Sequence, residues 1–221
     1  MGTLTWSHVD VFLITLRGTP ESHLAECVRP IQRQHLRASY RAGLEVCWQP
    51  GSELVDGYYA FYSRIFDERQ WLPPKLPRSF FHDVAGKWAD AAEMVVMKHE
   101  GRVVGGGIFL YDMFALNLYH AVTDRNVKGV YPHPVLYQLA IERAASRGLH
   151  YVNLGFNPGS PGLIRFKQSW GAEPTPMPML KWRGGWREMA RNVRTRLGSL
   201  TGGVDVGQAL ETNVQIPQEI S

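Results

Sequence analysis

Three sets of residues have types and spacing suited to chemistry. The segment Phe166-Lys167-Gln168-Ser169-Trp170-Gly171 sets a lysine between two aromatic residues in an expected helix. An ammonium there can stabilise an oxyanion or leaving group, and can donate a proton if desolvation lowers its pKa. The alternative is a surface lysine on an amphipathic helix. His120 lies on an expected strand and is the first candidate for a general base, with Asp112 and Asp124 flanking that strand as alternatives. Strand alternation puts Asn117, Tyr119 and Ala121 on one face and Leu118, His120 and Val122 on the other. The apolar neighbours therefore also suit a histidine satisfied within the core. The third set is basic. Arg29, Arg33, Arg37 and Arg41 share a helical face apart from a kink at Pro30, and Arg187, Arg191 and Arg194 form a second stripe. Guanidinium forks suit phosphate, which makes Arg33 and Arg37 substrate-binding candidates; solvated helix faces look the same in sequence.

These residues need a framework. The chain has 221 residues, 44% of them hydrophobic and 11% aromatic, enough for one domain with a substantial core or one domain plus a small lobe. No apolar run approaches the ~20 residues of a membrane span, and no leader pattern opens the chain, which points to a cytoplasmic protein. Cys27 and Cys47 match neither a metal spacing nor a disulfide framework, so no metal is expected. A net charge of +4 favours a polyanionic ligand or partner.

Periodicity and punctuation give the elements. A strand spans Val9 to Leu16, and a helix kinked at Pro30 runs from Ser22 to Ala42. Leu44 to Trp48 is a short strand, and helices follow from Ser52 to Arg69 and from Arg78 to Trp88. Three strands come in succession, Glu93–His99, Arg102–Tyr111 and Phe114–Thr123, the first two joined by a Glu100-Gly101 hairpin. Gly105-Gly106-Gly107 marks a bulge or a close backbone approach. A helix from Pro134 to Arg147, a strand Tyr151–Gly155, a helix Gly162–Trp170 and a strand Met179–Trp182 complete the order, with Pro174 to Pro178 separating the last two. A basic helix over Trp186–Leu197 and a polar tail from Ser199 are expected beyond.

This order, with Phe166-Lys167-Gln168-Ser169-Trp170-Gly171 in its last helix, resembles the GNAT superfamily of acyltransferases over residues 44 to 183. The segment LRASYRAGLEV (residues 36–46) adds a likeness to the Fem-like branch. The resemblance implies an α+β fold: a mixed, mostly antiparallel sheet flanked by helices, with a V-shaped splay between two parallel strands, here Phe114–Thr123 and Tyr151–Gly155. Residues 1–43 would be the remnant of a preceding lobe, 44–183 the acyltransferase domain, and 184–221 a basic helix and tail. It further implies an N-acyltransferase taking its donor from acyl-CoA, such as acetyl-CoA. The alternatives are an aminoacyl-tRNA donor or a non-catalytic binding module of the same fold. The acceptor would be an amine on a small molecule or a peptidoglycan precursor, with tRNA as a further partner and no DNA.

The resemblance also distributes roles. Lys167 falls where ordinary GNATs carry a tyrosine that protonates the leaving thiolate, as is usual in the Fem-like branch. The donor's phosphates would meet Arg125, Lys128, Gly129 and Val130 and the amides of Val135 and Leu136 at a helix N-terminus. Here the second glycine of the usual loop is missing, and Pro132 and Pro134 remove two N–H donors. Tyr119 and Asn153 would line the donor cleft, Asn153 standing where Fem-like proteins often carry aspartate. Phe156 and Trp170 would join Arg33 and Arg37 on the substrate side.

Overall fold

In the computed structural model residues 3–68, 76–88, 90–156 and 160–183 are described. The basic helix and tail expected beyond residue 184 lie outside them. The element order is β1 (Thr3–Thr15), α1 (Pro20–Glu26), α2 (Pro30–Arg41), β2 (Glu45–Trp48), α3 (Ser52–Glu68), α4 (Arg78–Gly86) and β3 (Ala92–His99). It continues with β4 (Arg102–Tyr111), β5 (Ala115–Thr123), α5 (Pro132–Ser146), β6 (Tyr151–Phe156), α6 (Pro161–Gln168) and β7 (Glu173–Arg183). The strands form one seven-stranded sheet in the order β2-β3-β4-β5-β6-β1-β7. β5 and β6 pair in parallel and every other described pair is antiparallel, which is the expected α+β architecture.

Both faces of the sheet are covered, so β3 reads as a continuous apolar run: Met94 to Met97 are all fully buried. On one face Tyr58 and Tyr62 of α3 and Phe81 of α4 form an aromatic core over Met94, Val96 and Ile108. On the other, Leu36 of α2 and Leu136, Leu139 and Tyr137 of α5 pack with Phe109, Leu116 and Trp170. The three glycines of β4 let these layers close. A Cβ on Gly106 would come within 2.6 Å of the Val95 carbonyl oxygen, and one on Gly107 within 2.8 Å of that of His120. Close backbone approach is thus the reason for that run.

Three local differences from the sequence reading have plain causes. The expected kinked helix is two helices, because Pro30 opens α2 rather than bending a continuous one. β7 begins at Glu173 and runs straight through Pro174, Pro176 and Pro178. These prolines sit at every second position of the sheet's last strand, paired with Phe12, Asp10 and His8 of β1, so the missing donors all fall on one edge. Finally, β1 lies inside the sheet between β6 and β7. β1 thus shares one sheet with the strands that follow residue 44.

Candidate active site

The parallel ladder between β5 and β6 is short. It pairs Ala115, Leu116 and Asn117 with Tyr151, Val152 and Asn153 and ends there, while both strands continue. Beyond the last pair each strand carries a bulge at the same level. On β5, Phe109 and Ile108 of β4 face Leu118 and His120, which leaves Tyr119 as the extra residue. On β6, Val11 and Leu13 of β1 face Phe156 and Asn153, so Leu154 and Gly155 oppose Phe12 alone. Gly155 takes φ +73°, a conformation that favours glycine. Two bulges on adjacent parallel strands bend them apart. Among the described residues, the edge of β5 facing the gap has no strand partner past Asn117.

Lys167 of α6 closes the β6 side. Its Nζ donates to the carbonyl oxygens of Gly155 and Phe156, both at 3.0 Å, and lies 5.2 Å from the centre of the Phe12 ring. The residue is only 3% exposed, and burial pushes its pKa down to about 8. It is therefore a cation on the threshold of neutrality, held by the strand end that forms one wall of the gap. On β5, Tyr119 is 53% exposed, with its ring centre 6.1 Å from Phe80 of α4, which in turn packs 5.5 Å from Trp88.

A polar chain spans the closed end of the gap. Asp112 Oδ1 accepts from the backbone N–H groups of Phe114 and Ala115, and its Oδ2 accepts from Asn117 Nδ2 at 2.9 Å. Asn117 Oδ1 accepts from Asn153 Nδ2 at 2.9 Å, and Asn153 Oδ1 accepts from the Gly155 N–H at 2.8 Å. Burial raises the Asp112 pKa, but the bonds from Asn117, Phe114 and Ala115 outweigh it and hold the carboxyl below its ordinary value.

The remaining sequence candidates separate clearly. His120 turns away from Lys167: its ring lies edge-on to Tyr62 at 5.0 Å, Phe81 at 5.6 Å and Tyr58 at 6.3 Å in the α3–α4 core. Burial lowers its pKa to about 4, and among the described residues its Nε2 has no hydrogen-bond partner. The bulge at Tyr119 also breaks the alternation read from sequence. Leu118 packs into the α5 core, whereas His120 and Val122 face α3 and α4. Neither alternative base is idle. Both Asp112 oxygens are occupied, and Asp124 accepts from Asn126 N–H and from Arg64.

The expected amide cradle at the helix N-terminus is largely absent. α5 starts at Pro132, two residues earlier than the sequence suggested. The Val135 N–H already bonds to the Tyr131 oxygen, and Leu136 lies one residue deeper in the helix. Tyr131 N–H is taken by Ser39 Oγ at 2.8 Å, and His133 carries the N–H between the two prolines. Val130, Val135 and Leu136 are buried core side chains, while Arg125, Lys128 and Gly129 are exposed on the preceding turn.

On the substrate side, Arg33 is structural. Its Nη1 bonds the carbonyl oxygens of Leu24, Ala25 and Val28 and so ties the end of α1 to α2. Arg37 is exposed and shares with Arg33 a cavity of about 450 Å³ that Leu24, Leu36, Tyr40 and Arg41 also line. Trp170 is fully buried against Tyr137 and touches no open surface, whereas Phe156 is 43% exposed at the mouth of the gap. Sequence reading missed Phe12, Asn117, Phe80 and Trp88. Their roles depend on strand register, and no local spacing announces them.

Comparison with known proteins agrees with this fold. Residues 29–168 match the acetyltransferase (GNAT) domain family. No curated protein matches the chain. Among solved structures FemX superposes with a TM-score of 0.63 at 12% identity, over 87% of this chain and 63% of FemX. L-PGS from Bacillus licheniformis gives 0.56 at 12%, over 88% of this chain and 67% of that one. A tandem GNAT protein from the clavulanic acid biosynthesis pathway gives 0.51 at 14%, over 81% and 52%. At such identities the likeness is one of fold. A family match over more than half of the sequence, on a sheet splayed between β5 and β6, makes this chain a member of the GNAT acetyltransferase domain family.

Proposed function

We propose that the protein is an N-acyltransferase that moves an acyl group from an acyl-CoA thioester to an amine acceptor, with the donor lying in the splay between β5 and β6. The observation that carries this reading is the buried ammonium of Lys167 on the β6 wall, at the level where the β5 edge loses its strand partner. An extended donor arm can pair with that open edge as an added strand would. The acceptor nitrogen attacks the thioester carbonyl, the C–N bond forms, and the C–S bond breaks. Lys167 stabilises the charge that develops, donates a proton to the departing thiolate and regains one from solvent. His120 is enclosed in the aromatic core and the oxygens of Asp112 and Asp124 are engaged, so the amine arrives neutral or loses its proton to water. Alignment of two bound reactants lowers the barrier by up to ~7–11 kcal/mol, and a domain of this kind relies on that term.

Exposed Arg125 and Lys128 would hold the donor's diphosphate in place of an amide cradle. Calorimetric titration with acetyl-CoA and a longer acyl-CoA tests this. Micromolar saturable binding, weakened about tenfold or more by Lys128→Glu, is expected for a charge-assisted contact. No binding up to millimolar CoA would overturn the thioester donor.

A second reading is favoured by the same helix start. With proline at two of its first three positions, α5 offers few N–H groups to a diphosphate. An aminoacyl-tRNA ester needs no such cradle, and the exposed Arg37 and Arg41 could meet its backbone. The acceptor would then be a small-molecule amine or a peptidoglycan precursor. Binding of charged tRNA with a steep salt dependence, in the absence of CoA binding, would select this reading. A module of the same fold that binds without turnover is the third outcome.

A further inference from the structure

The chain from Asp112 to Gly155 has a direction, and its end groups impose it. A carboxylate can only accept, so Asn117 must present its NH2 to Asp112 and its carbonyl to Asn153. A backbone N–H can only donate, so Asn153 must present its carbonyl to Gly155 and its NH2 to Asn117. Both amide orientations are therefore fixed twice, once from each end. At the far end, the residue whose N–H terminates the chain is the residue whose carbonyl holds Lys167.

We propose that Asp112, Asn117 and Asn153 are positioning residues that act through the Gly155 bulge to hold the Lys167 ammonium at the open end of the splay. The chain clamps the last rung between β5 and β6 through the Asn153–Asn117 bond and fixes the left-handed turn at Gly155 immediately beyond it. Without the clamp the Gly155 bulge is held only by the flanking pairs that Asn153 and Phe156 make with β1, and the amine that its carbonyl binds is held less firmly. Co-aligned amide dipoles starting from a carboxylate also strengthen one another. The inference deepens the role given to Lys167 above, but its test uses neither donor nor acceptor, so it stands or falls separately from the proposed activity.

Three near-isosteric variants provide that test. Asp112→Asn sets an NH2 against the NH2 of Asn117. Flipping Asn117 only passes the conflict to Asn153 and then to the Gly155 N–H, so one link must break. Asn153→Asp removes the donor to Asn117 Oδ1, and a flipped Asn117 would face Asp112 oxygen to oxygen. The double variant Asp112→Asn/Asn153→Asp reverses the chain and satisfies it again. The amide introduced at position 112 would keep its oxygen for Phe114 and Ala115 and donate to a flipped Asn117. Asn117 would in turn donate to the carboxylate introduced at position 153, which would accept from the Gly155 N–H as well.

The readouts are hydrogen exchange of the Gly155 amide and the titration midpoint of the Lys167 Cε resonance, assigned by its absence in Lys167→Met. Asp112→Asn is expected to lower Gly155 protection at least tenfold, and each single variant to lower the Tm by about 5 °C. The double variant restores both. In Asp112→Asn the Lys167 midpoint rises from about 8 toward its ordinary 10.5 as water reaches the loosened strand end. Loss of a carboxylate would by itself move a lysine the other way, so the rise reports release rather than direct electrostatics. The proposal is overturned if Asp112→Asn leaves Gly155 protection and the Lys167 midpoint unmoved. It is equally overturned if the double variant is no better folded than the single ones or no better protected at Gly155 than Asp112→Asn.

Discussion

Lys167 gives the sharpest quantitative handle on the site. Its pKa falls from 10.5 to about 8 because burial removes the water that would solvate the ammonium. That difference corresponds to about 3 kcal/mol between its charged and neutral forms. In the unfolded chain the group regains its ordinary value, so between pH 8 and 10.5 the unfolded state binds more protons than the folded one. Stability therefore rises with pH across that window. Below pH 8 both states carry the charge and the folded state bears the full cost; above 10.5 neither does. Other lysines and tyrosines titrate in the same range, so the useful quantity is the difference between the wild type and Lys167→Met. Urea unfolding from about pH 7 to 10.5 is expected to show the wild type gaining about 3 kcal/mol relative to the variant, most of it above pH 8. The turnover profile should run in the opposite sense. A role for the ammonium requires the protonated form, so the rate falls as pH passes 8 and the variant is slow throughout. A stability difference that stays flat across this range would refute the assignment of a buried, nearly neutral lysine and, with it, the tuning argument for its role.

Two further expectations concern residues outside the gap. His120→Phe should fold with unchanged or slightly higher Tm, because a ring whose Nε2 lacks a partner among the described residues is replaced by an apolar one among Tyr58, Tyr62 and Phe81; a rate loss above tenfold at unchanged Tm would return His120 to the catalytic list. Glu93 is 4% exposed, and although burial raises its pKa, bonds from Arg143, Tyr111 and Arg147 hold it at about 2. Its stabilisation is present above the ordinary value of 4.5 and lost as pH falls through about 2. Glu93→Gln should therefore cost about 3 kcal/mol at neutral pH and progressively less toward pH 2, read from urea midpoints.

What the sequence made legible follows from how local each signal is. Hairpins, capping prolines and the apolar runs of β3 and β4 depend on neighbours in the chain, and those elements appear within a residue or two of expectation. Lys167 between Phe166 and Trp170 could be singled out for the same reason, although Trp170, expected on the substrate side, is core, and Phe166 packs on Tyr137 and His133. The faces of β5 could not be read correctly. One extra residue at Tyr119 inverts every side chain after it, and nothing in ALNLYHAVT marks the bulge. Asn117 and Asn153 lie 36 residues apart and meet only because β5 and β6 are in register there. The prolines of β7 read as a break because a proline run usually ends a strand; on the last strand of a sheet, at alternate positions, it need not.

Under the proposed thioester chemistry, the start of α5 would decide how strongly a CoA donor is held and how that hold responds to salt. A ring of backbone N–H groups at a helix N-terminus binds a diphosphate with fixed dipoles at close range, an interaction that bulk salt weakens only slightly. Here Pro132 and Pro134 lack the donors, Tyr131 spends its own on Ser39, and Val135 is already bonded within the helix. The phosphates would therefore depend on long, exposed cations such as Lys128, whose reach ends in water. Exposed pairs of this kind are screened over about 8 Å at physiological ionic strength. Raising salt from about 50 mM to about 500 mM should then weaken acyl-CoA binding by about tenfold, while the contribution of the donor arm along the β5 edge stays constant. Binding that is indifferent to salt would mean that backbone donors hold the phosphates after all, and would require the His133 turn to reorganise when the donor enters.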